Sequence, residues 1–497
     1  MRSRVPFSAL RFISVALLLL AVLLTTFELV RFSRLRAYYP PGMTIAGVPV
    51  NGLDRQQAAQ RVLEAYAMPV ELHYNDAVIQ VTPGVVDFQL DMEGMLAAAS
   101  LQRNQTPFWE DFWDFLWARS SNPPGVPLRA TSSETRLRAY LAGIAKVYDQ
   151  PPQAAVPVAG SVNFQPGRPG STLDVDGSLP LIEAALRSLN RRTVDLPITR
   201  TNAKRPALLN LQVLLKQTIG VSGFDGVAGI YLLDLQTAQE LHFAVENGQD
   251  LPVQPDIAFT ASSIMKIPIL VSVFNHLNGD PDAETIKLMS DMIDKSGNEA
   301  ADWLMDRVIG PKKAPLAVSQ DMKAIGLDNT FLAGYFSLGS PQLATFVTPA
   351  NSRRDINTNP DPYSQTTPSD IGMLLEDLYQ CAERGGGALP AVFPGKIDQV
   401  KCQKIVDYLI ANKLPALLTA GLPEGTQIAH KHGWVSTNGI INTIGDAGII
   451  YSPGGAYIMS VFLYHPQQLV WEPASTLVAE LSRAAYNYFN LPEQAGQ

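Results

Sequence analysis

The sequence predicts an α+β fold for the main part of the chain. A hairpin-like pair of strand patterns occurs at residues 227–245, and three further strand patterns follow at residues 428–464. The residues between these two regions are rich in helical patterns. Strands from both ends of a domain around a helical middle are typical of α+β folds. We expect this domain to span residues 206–490, after a smaller α+β module at 37–205 and an apolar helix within 1–36.

The composition is that of a globular protein, with 46% hydrophobic and 17% charged residues. The formal net charge is -8 and the sequence pI is about 5.4. No domain stands out as basic, which argues against a nucleic-acid partner. Cys381 and Cys402 have neither zinc-site nor redox-motif spacing, and we expect no metal and no cofactor. In an oxidising compartment they would pair, and in the cytosol they would be two buried thiols.

The first 36 residues predict a membrane anchor. Residues 12–30 are mostly apolar and approach the length that crosses a bilayer as a helix. No small-residue cleavage site follows them, which favours an uncleaved signal anchor; a signal peptide with an unrecognised cleavage site is the alternative. We expect a single-pass cell-membrane protein with a short cytoplasmic tail and most of the chain extracytoplasmic. Three arginines lie on each side of the apolar run: Arg2, Arg4, Arg11, Arg31, Arg34 and Arg36.

The module at 37–205 contains a strand and turn at residues 45–53 and a helix that Asp54 is placed to cap. A hairpin pattern follows at residues 70–81, and residues 135–200 repeat part of this plan. The stretch at 45–53 and the Pro-Gly-x-x-Gly-x-x-Leu-Asp sequence ending at Asp174 resemble a peptidoglycan-binding domain found beside cell-wall enzymes. The resemblance implies a module that faces the cell wall.

An aromatic segment, residues 108–117, separates the two halves of this module. Trp109, Phe112, Trp113 and Leu116 fall on one helical face. We expect this helix to dock on the core of the module through that face. The alternative is a surface for glycan stacking or for the membrane interface.

The motif Ser263-x-x-Lys266 precedes an almost wholly apolar run, which predicts a helix that is buried on most faces. A Ser and a Lys at this spacing lie on the same side of a helix. A partly desolvated Lys can be neutral and can take the proton that makes a serine hydroxyl nucleophilic. The alternative is a buried helix with a capping Ser and a snorkelling Lys.

Two further motifs follow in order: Ser296-x-Asn298 just before a helix, and Lys431-x-Gly433 in a strand pattern. This ordered set resembles the class A β-lactamase and penicillin-binding protein superfamily of serine hydrolases. The resemblance covers about residues 208–490, with supporting sequences at 326–330 and 366–370. It implies a β-lactamase/transpeptidase-like fold, in which an antiparallel sheet packs on a helical subdomain.

The resemblance also implies the catalytic roles. Ser263 would be the acylated nucleophile, and Lys266 would be its base or part of its proton relay. Ser296 would pass a proton to the departing nitrogen, helped by Lys431. Clustered lysines depress one another's pKa, which frees one of them to act as a base.

The substrate-binding residues that the resemblance implies are Asn298, His432, Gly433 and Trp434. Asn298 would hold the acyl-side amide, and Lys431 would attract the substrate carboxylate. The backbone N–H groups of Ser263 and Trp434 would form the oxyanion hole. His432 stands where the family normally has a Thr or Ser that contacts the carboxylate; a surface strand histidine is the alternative.

The sequence departs from the family pattern in three further places. The interval from Ser263 to Ser296 is short, and Gly297 stands where β-lactamases usually have Asp. No Glu occurs between Glu299 and Glu376, the interval that should hold the family's deacylating Glu. That Glu belongs on the loop before residues 366–368, and the carboxylates in the stretch leading to this loop are Asp321, Asp328, Asp355 and Asp361.

These features predict a membrane-anchored serine hydrolase of the class A β-lactamase type, acting on β-lactams through an acyl-enzyme on Ser263, and the missing Glu predicts slow turnover. One alternative is a D-Ala-D-Ala carboxypeptidase or penicillin-binding protein acting on peptidoglycan stem peptides. The other is a non-catalytic cell-wall-binding protein that kept the fold.

Overall fold

A computed structural model describes residues 7–119, 123–437 and 439–491. These residues form two compact units. The first contains the residues up to Pro152 together with 169–202, and the second contains 153–168 together with the residues from Ala203 onward. Residues 153–168 and 203–205 of the expected module at 37–205 belong to the second unit, and the apolar helix Phe7–Leu35 belongs to the first. Arg2 and Arg4 of the expected cytoplasmic tail lie outside the described residues.

The first unit is a small α+β structure. Its core sheet has Val70–Tyr74 at the centre, parallel to Thr193–Asp195 and antiparallel to Ala77–Val81. Asp54 caps the helix Arg55–Ala67 as predicted, because its carboxylate accepts the N–H of Gln57. The helices are Phe7–Leu35, Arg55–Ala67, Met92–Arg103, Phe108–Leu116, Glu134–Tyr148 and Val175–Leu186. The other strands are Thr44–Ile45, Val48–Pro49, Gln89–Leu90, Ala130–Thr131, Gly170–Leu173 and Ile198–Thr201.

Residues 193–201 form two strands that belong to different sheets. Thr193–Asp195 pairs with Val70–Tyr74, whereas Ile198–Thr201 pairs with Gly170–Leu173 in a separate sheet. Pro197 lies between the two strands and has no N–H to donate to a ladder. The chain therefore changes sheets at this proline.

Within the described residues, one helix is long and apolar enough to cross a bilayer, and its candidate span is Arg11–Leu35. A signal sequence near an N-terminus can meet the same criteria of length and composition. The span is mostly exposed in the protein, which suits a helix that packs against lipid or is removed.

The second unit is built on a six-stranded antiparallel sheet. In order, its strands are Gln249–Leu251, Gln239–Glu246, Val227–Asp234, Gly455–Tyr464, Ile440–Ser452 and Gln427–Thr437. A three-stranded sheet contains Phe259–Thr260, Ser364–Thr366 and Phe331–Leu332. The helices are Leu208–Ser222, Lys266–His276, Ala283–Asp294, Asn298–Val308, Ala314–Ala324, Pro368–Arg384, Ala388–Val392, Gln399–Ile410, Leu418–Gly421 and Trp471–Phe489.

Both faces of the large sheet are covered. Along the fully buried strand Val227–Asp234, Ile230 and Leu232 pack on one side with the helices Leu208–Ser222 and Trp471–Phe489. Tyr231 and Leu233 pack on the other side, in the core that contains the helical subdomain. The predicted fold class, an antiparallel sheet with a helical subdomain, is confirmed.

The hairpin of Val156–Pro157 and Phe164–Gln165 packs on the second unit although it interrupts the first in sequence. The ring of Phe164 lies 5.9 Å from that of Tyr488. Nδ2 of Asn487 donates to the carbonyl of Val162 at 2.8 Å. This hairpin therefore adds to the core beside the last helix of the chain.

Cys381 and Cys402 form a disulfide, as the oxidising-compartment alternative predicts. The bond joins the helices Pro368–Arg384 and Gln399–Ile410, and both cysteines are fully buried. It closes a loop of about twenty residues, which in the chain-entropy model stabilises a fold by roughly 3 kcal/mol.

Candidate active site

Ser263 lies in a single 3₁₀ turn, Ser262–Met265, that leads directly into the helix Lys266–His276. The regular helix thus begins at Lys266 and does not include Ser263. Ser262 has a left-handed backbone with φ of 51°, a conformation that costs a non-glycine residue of order 1 kcal/mol or more. The nine residues from Lys266 to Phe274 are all buried, which confirms the prediction of a helix buried on most faces.

The amine of Lys266 is surrounded by groups from both predicted motifs. Its Nζ lies 2.8 Å from Oγ of Ser263, 2.8 Å from the carbonyl of Ser296 and 2.9 Å from Oδ1 of Asn298. The hydroxyl of Ser296 is 3.2 Å away. An ammonium group has three hydrogens and no acceptor, whereas a neutral amine can accept one hydrogen bond. With Lys266 neutral, the Ser263 hydroxyl can donate to it.

The electrostatics favour that neutral form. Burial, followed by the charge of Lys431, lowers the pKa of Lys266 to about 7, although Asp302 acts in the opposite direction. Nζ lies 5.1 Å from the ring centre of Phe336, a contact that favours the charged form and that burial and Lys431 outweigh. A large share of these side chains is therefore uncharged at neutral pH, when Lys266 can serve as a base.

Ser296 and Asn298 reach Lys266 because of a tight connection between two helices. The helix Ala283–Asp294 ends just before Ser296, which has a left-handed backbone with φ of 51°. Gly297 caps the next helix, and Asn298 is its first residue. This turn directs the carbonyl and hydroxyl of Ser296, and the amide of Asn298, to one amine.

The strand Gln427–Thr437 forms the edge of the large sheet and passes beside the nucleophile turn. A Cβ added at Gly433 would lie 2.8 Å from the backbone nitrogen of Ser263 and 3.0 Å from that of Ile264. Only glycine allows this approach without a shift of backbone. Because Ser263 and Gly433 are adjacent, the N–H groups of Ser263 and Trp434 belong to neighbouring backbone segments, as an oxyanion hole requires.

Lys431 is fully buried, and burial lowers its pKa to about 8 although Asp446 partly offsets this effect. Its Nζ donates to the carbonyl of His432 at 3.2 Å. A lysine with this pKa is still largely a cation at neutral pH. It can therefore attract a carboxylate while Lys266 is partly neutral.

His432 is nearly buried, so the alternative of an exposed strand histidine does not hold. Burial, followed by the charge of Lys431, lowers the pKa of His432 to about 3, which leaves the imidazole neutral. Nδ2 of Asn412 lies 3.3 Å from Nδ1 of His432. An amide nitrogen is a donor, so we assign Nδ1 as the acceptor and Nε2 as the nitrogen that carries the proton. The ring stacks on Trp434 at a centroid distance of 5.3 Å.

The sequence analysis missed a buried pair behind this strand. Nδ1 of His430 lies 2.9 Å from Oδ1 of Asp446, and both side chains are essentially unexposed. Burial raises the pKa of the Asp446 carboxyl, but the hydrogen bond and charge of His430 outweigh this and lower it. The N–H of Leu418 also donates to Asp446. The alternation His430-Lys431-His432 was the available signal, because it places both histidines on one strand face.

Asp302 is the second missed residue. Its carboxylate accepts the backbone N–H groups of Phe336 and Ser337 at 2.9 Å and the hydroxyl of Ser337 at 2.6 Å. It therefore fixes the loop that brings Phe336 over Lys266. Asp302 lies one turn after Asn298, and this i, i+4 spacing was the available signal.

Residues 282–489 match the model of the β-lactamase enzyme family. We call the second unit, which contains this match, the β-lactamase-family domain. The match includes Ser296, Asn298 and Lys431 and begins after Ser263 and Lys266. Residues 109–195 match the model described as "Putative peptidoglycan binding domain". The two matches confirm the resemblance predicted from the motifs.

Several solved structures are similar to the β-lactamase-family domain and its surroundings. PBP-A is 21% identical, with 57% of this chain and 97% of that chain covered and a TM-score of 0.40. A β-lactamase from Desulfarculus baarsii is 15% identical, with 58% and 100% covered and a TM-score of 0.41. The last common ancestor of Gram-negative bacteria class A β-lactamase is 21% identical, with 55% and 97% covered and a TM-score of 0.39. None of the curated proteins matches the chain.

Proposed function

We propose that the β-lactamase-family domain forms an acyl-enzyme on Ser263 when it meets a β-lactam. One observation carries this proposal: Nζ of Lys266 lies 2.8 Å from Oγ of Ser263 in a site where the pKa of Lys266 is about 7. A nucleophile in hydrogen-bond contact with a group that is partly neutral at physiological pH is equipped for acyl transfer.

In the acylation step, the Ser263 proton passes to Nζ of Lys266 as Oγ bonds to the lactam carbonyl carbon. The carbonyl oxygen becomes an oxyanion, and the N–H groups of Ser263 and Trp434 donate to it. The C–N bond then breaks, and the ring nitrogen takes a proton from the hydroxyl of Ser296. Ser296 regains a proton from Lys266, whose Nζ is 3.2 Å from its Oγ.

Substrate binding would use groups around the same amine. Asn298 has an amide next to Nζ of Lys266 and would hold the acyl-side amide of the substrate. Lys431 and the protonated Nε2 of His432 would bind the substrate carboxylate. Gly433 keeps the strand close enough to the turn for a bound carbonyl to reach both backbone donors.

The second candidate is a D-Ala-D-Ala carboxypeptidase acting on peptidoglycan stem peptides. The match of residues 109–195 to a peptidoglycan-binding model favours it, because such a module would hold the protein at the wall. Either enzyme would be a single-pass membrane protein with its catalytic domain outside the cytoplasm. The apolar span Arg11–Leu35 and the wall-related module support that location.

Labelling of the purified full chain with a fluorescent penicillin tests the proposal. A covalent band is expected, and folded protein without one would leave the non-catalytic cell-wall-binding alternative. Turnover of a chromogenic cephalosporin then separates the two enzymes. Sustained hydrolysis identifies a β-lactamase, and release of D-alanine from an acyl-D-Ala-D-Ala peptide identifies a carboxypeptidase.

A further inference from the structure

The aromatic segment 108–117 packs against the end of the apolar helix. The phenyl ring of Phe32 lies 5.4 Å from that of Phe108, 5.5 Å from that of Phe112 and 5.3 Å from that of Phe115. Phe32 and Phe112 are both buried by this contact. The expected docking face, which included Trp109 and Trp113, is wrong: the phenylalanines pack inward and the tryptophans do not.

The length of the N-terminal helix sets the level of Phe32 in a bilayer that the helix crosses. From Phe12 to Phe32 the helix advances twenty residues, or about 30 Å at 1.5 Å per residue. That distance equals the thickness of a bilayer hydrocarbon core, about 30 Å. If residues 12–30 cross the bilayer, Phe32 and the aromatic segment lie where the hydrocarbon meets the headgroups.

Polar contacts hold the segment at this level. Nη2 of Arg36 donates to the carbonyl of Thr106 at 3.2 Å and lies 3.4 Å from Oδ2 of Asp111. Nη1 of Arg119 lies 3.6 Å from Oδ1 of Asp114. Two of the acidic groups of the segment are thereby paired with arginines, which reduces the repulsion that they would feel beside anionic lipids.

Three tryptophans remain on the outer side of the segment. Trp109, Trp113 and Trp117 are 62%, 57% and 70% exposed. They follow one another at four-residue spacing, which places them along one face. Large exposed aromatic patches mark interaction sites, and tryptophan is enriched at the level of lipid headgroups because its ring is amphipathic.

We propose that the face formed by Trp109, Trp113 and Trp117 inserts into the headgroup region of the bilayer that the N-terminal helix spans. This docking rests on the proposed membrane anchoring. It would hold the first unit against the membrane surface by a second contact besides the helix. A glycan strand of the wall, which could also stack on tryptophan, is the competing occupant and an outcome of the test.

The test uses the full chain in nanodiscs made from lipids brominated near the headgroup end of their acyl chains. Bromine quenches tryptophan emission only at short range, so up to three of the six tryptophans should be quenched. The combined variant Trp109→Leu, Trp113→Leu, Trp117→Leu should lose most of that quenching. Trp303→Leu is the matched control, because Trp303 is 60% exposed but lies in the second unit. The Trp303→Leu variant should keep the bromine quenching.

The outcomes separate the docking from the anchor. Full chain that elutes with the discs but gives equal emission in brominated and unbrominated lipid would overturn the docking alone. A chain that does not elute with the discs would overturn both the anchor and the docking. A blue shift on adding soluble peptidoglycan glycan chains, without bromine quenching, would assign the face to glycan instead. Circular dichroism checks that the variants keep their fold, which we expect because substitutions of exposed side chains usually change stability little.

Discussion

Lys266 and Lys431 are both fully buried, and the charge of Lys431 lowers the pKa of Lys266. Lys266 begins the helix Lys266–His276 and Lys431 lies on the edge strand Gln427–Thr437, so the pair forms only when these elements pack together. Their pKa values of about 7 and about 8 give them different protonation at neutral pH. One can act as a base while the other remains a cation.

The rate of acylation should therefore show a bell-shaped dependence on pH. It rises with pH through about 7, because Lys266 loses the proton that prevents it from accepting one from Ser263. It falls above about 8, because Lys431 loses the charge that attracts the substrate carboxylate. Stopped-flow measurement of acylation by a penicillin between pH 5 and pH 10 checks both limbs.

The variant Lys431→Met tests the coupling directly. Removing the positive charge relieves the repulsion that lowers the pKa of Lys266, so the rising limb should move to higher pH. The falling limb should disappear. A pH profile that is flat, or a rising limb that stays in place, would contradict the assignment of Lys266 as the base.

The acylated residue should be Ser263 and not its neighbour. Ser263→Ala should abolish covalent penicillin labelling, because Oγ of Ser263 is the hydroxyl in contact with Lys266. Ser262→Ala should keep it, since Oγ of Ser262 is buried without a hydrogen-bond partner in the described residues. Mass spectrometry of the labelled peptide makes the assignment, and persistent labelling of Ser263→Ala would overturn it.

Gly433→Ala should reduce acylation by on the order of 10²-fold or more, the cost of losing one oxyanion-hole donor. The new methyl group would collide with the backbone nitrogen of Ser263 and push the strand away from the turn. Gly220→Ala is the control, because its added Cβ meets nothing within 4 Å. Labelling rates at equal protein concentration make the comparison, and equal rates would refute a role for this close approach.

His432 should bind substrate as a neutral donor. His432→Leu should lower the efficiency of acylation by about 10- to 100-fold, the worth of a hydrogen bond to a charged group. His432→Thr, which keeps a donor, should lose less. Because the pKa of His432 is about 3, the wild-type profile should show no limb near pH 6.5 from this residue. Equal losses in the two variants would indicate a packing role.

Local patterns predicted much of this site. Ser263 and Lys266 are three residues apart, so their contact follows from the geometry of one helical turn. Ser296 and Lys431 come close to this pair only through tertiary packing. Their place in the site was predicted from the resemblance to a family and not from local patterns. His430 and Asp446 could not be paired in advance, because their contact depends on the register of two strands.

The aromatic segment shows a different limit. Its helix is apolar on more than one side, so periodicity alone could not decide which face packs inward. The contact with Phe32 decided it, and Phe32 is more than seventy residues away in sequence. The hairpin at 153–168 was missed for a similar reason, because its partners Tyr488 and Asn487 lie at the other end of the chain.

Two aspartates in the interval without Glu differ in their surroundings. Asp355 is exposed and accepts a hydrogen bond from Arg353 at 3.1 Å, which lowers its pKa. Burial raises the pKa of Asp361, although the N–H of Tyr363 acts against this. The backbone N–H of Asp361 donates to Oγ1 of Thr260, three residues before the nucleophile. Asp361 is therefore the better candidate for a base near the acyl-enzyme.

Release of the acyl group should be slow. A deacylating base needs hydrogen-bond reach to a water beside the ester, and losing such a base typically lowers a rate by on the order of 10²- to 10⁴-fold. Purified protein should give a burst of one product per Ser263 with a chromogenic cephalosporin and then little turnover. Asp361→Asn should slow the remaining release further, whereas Asp355→Asn should leave it unchanged. Sustained turnover at about 10 s⁻¹ or more that survives Asp361→Asn would show that another group activates the water.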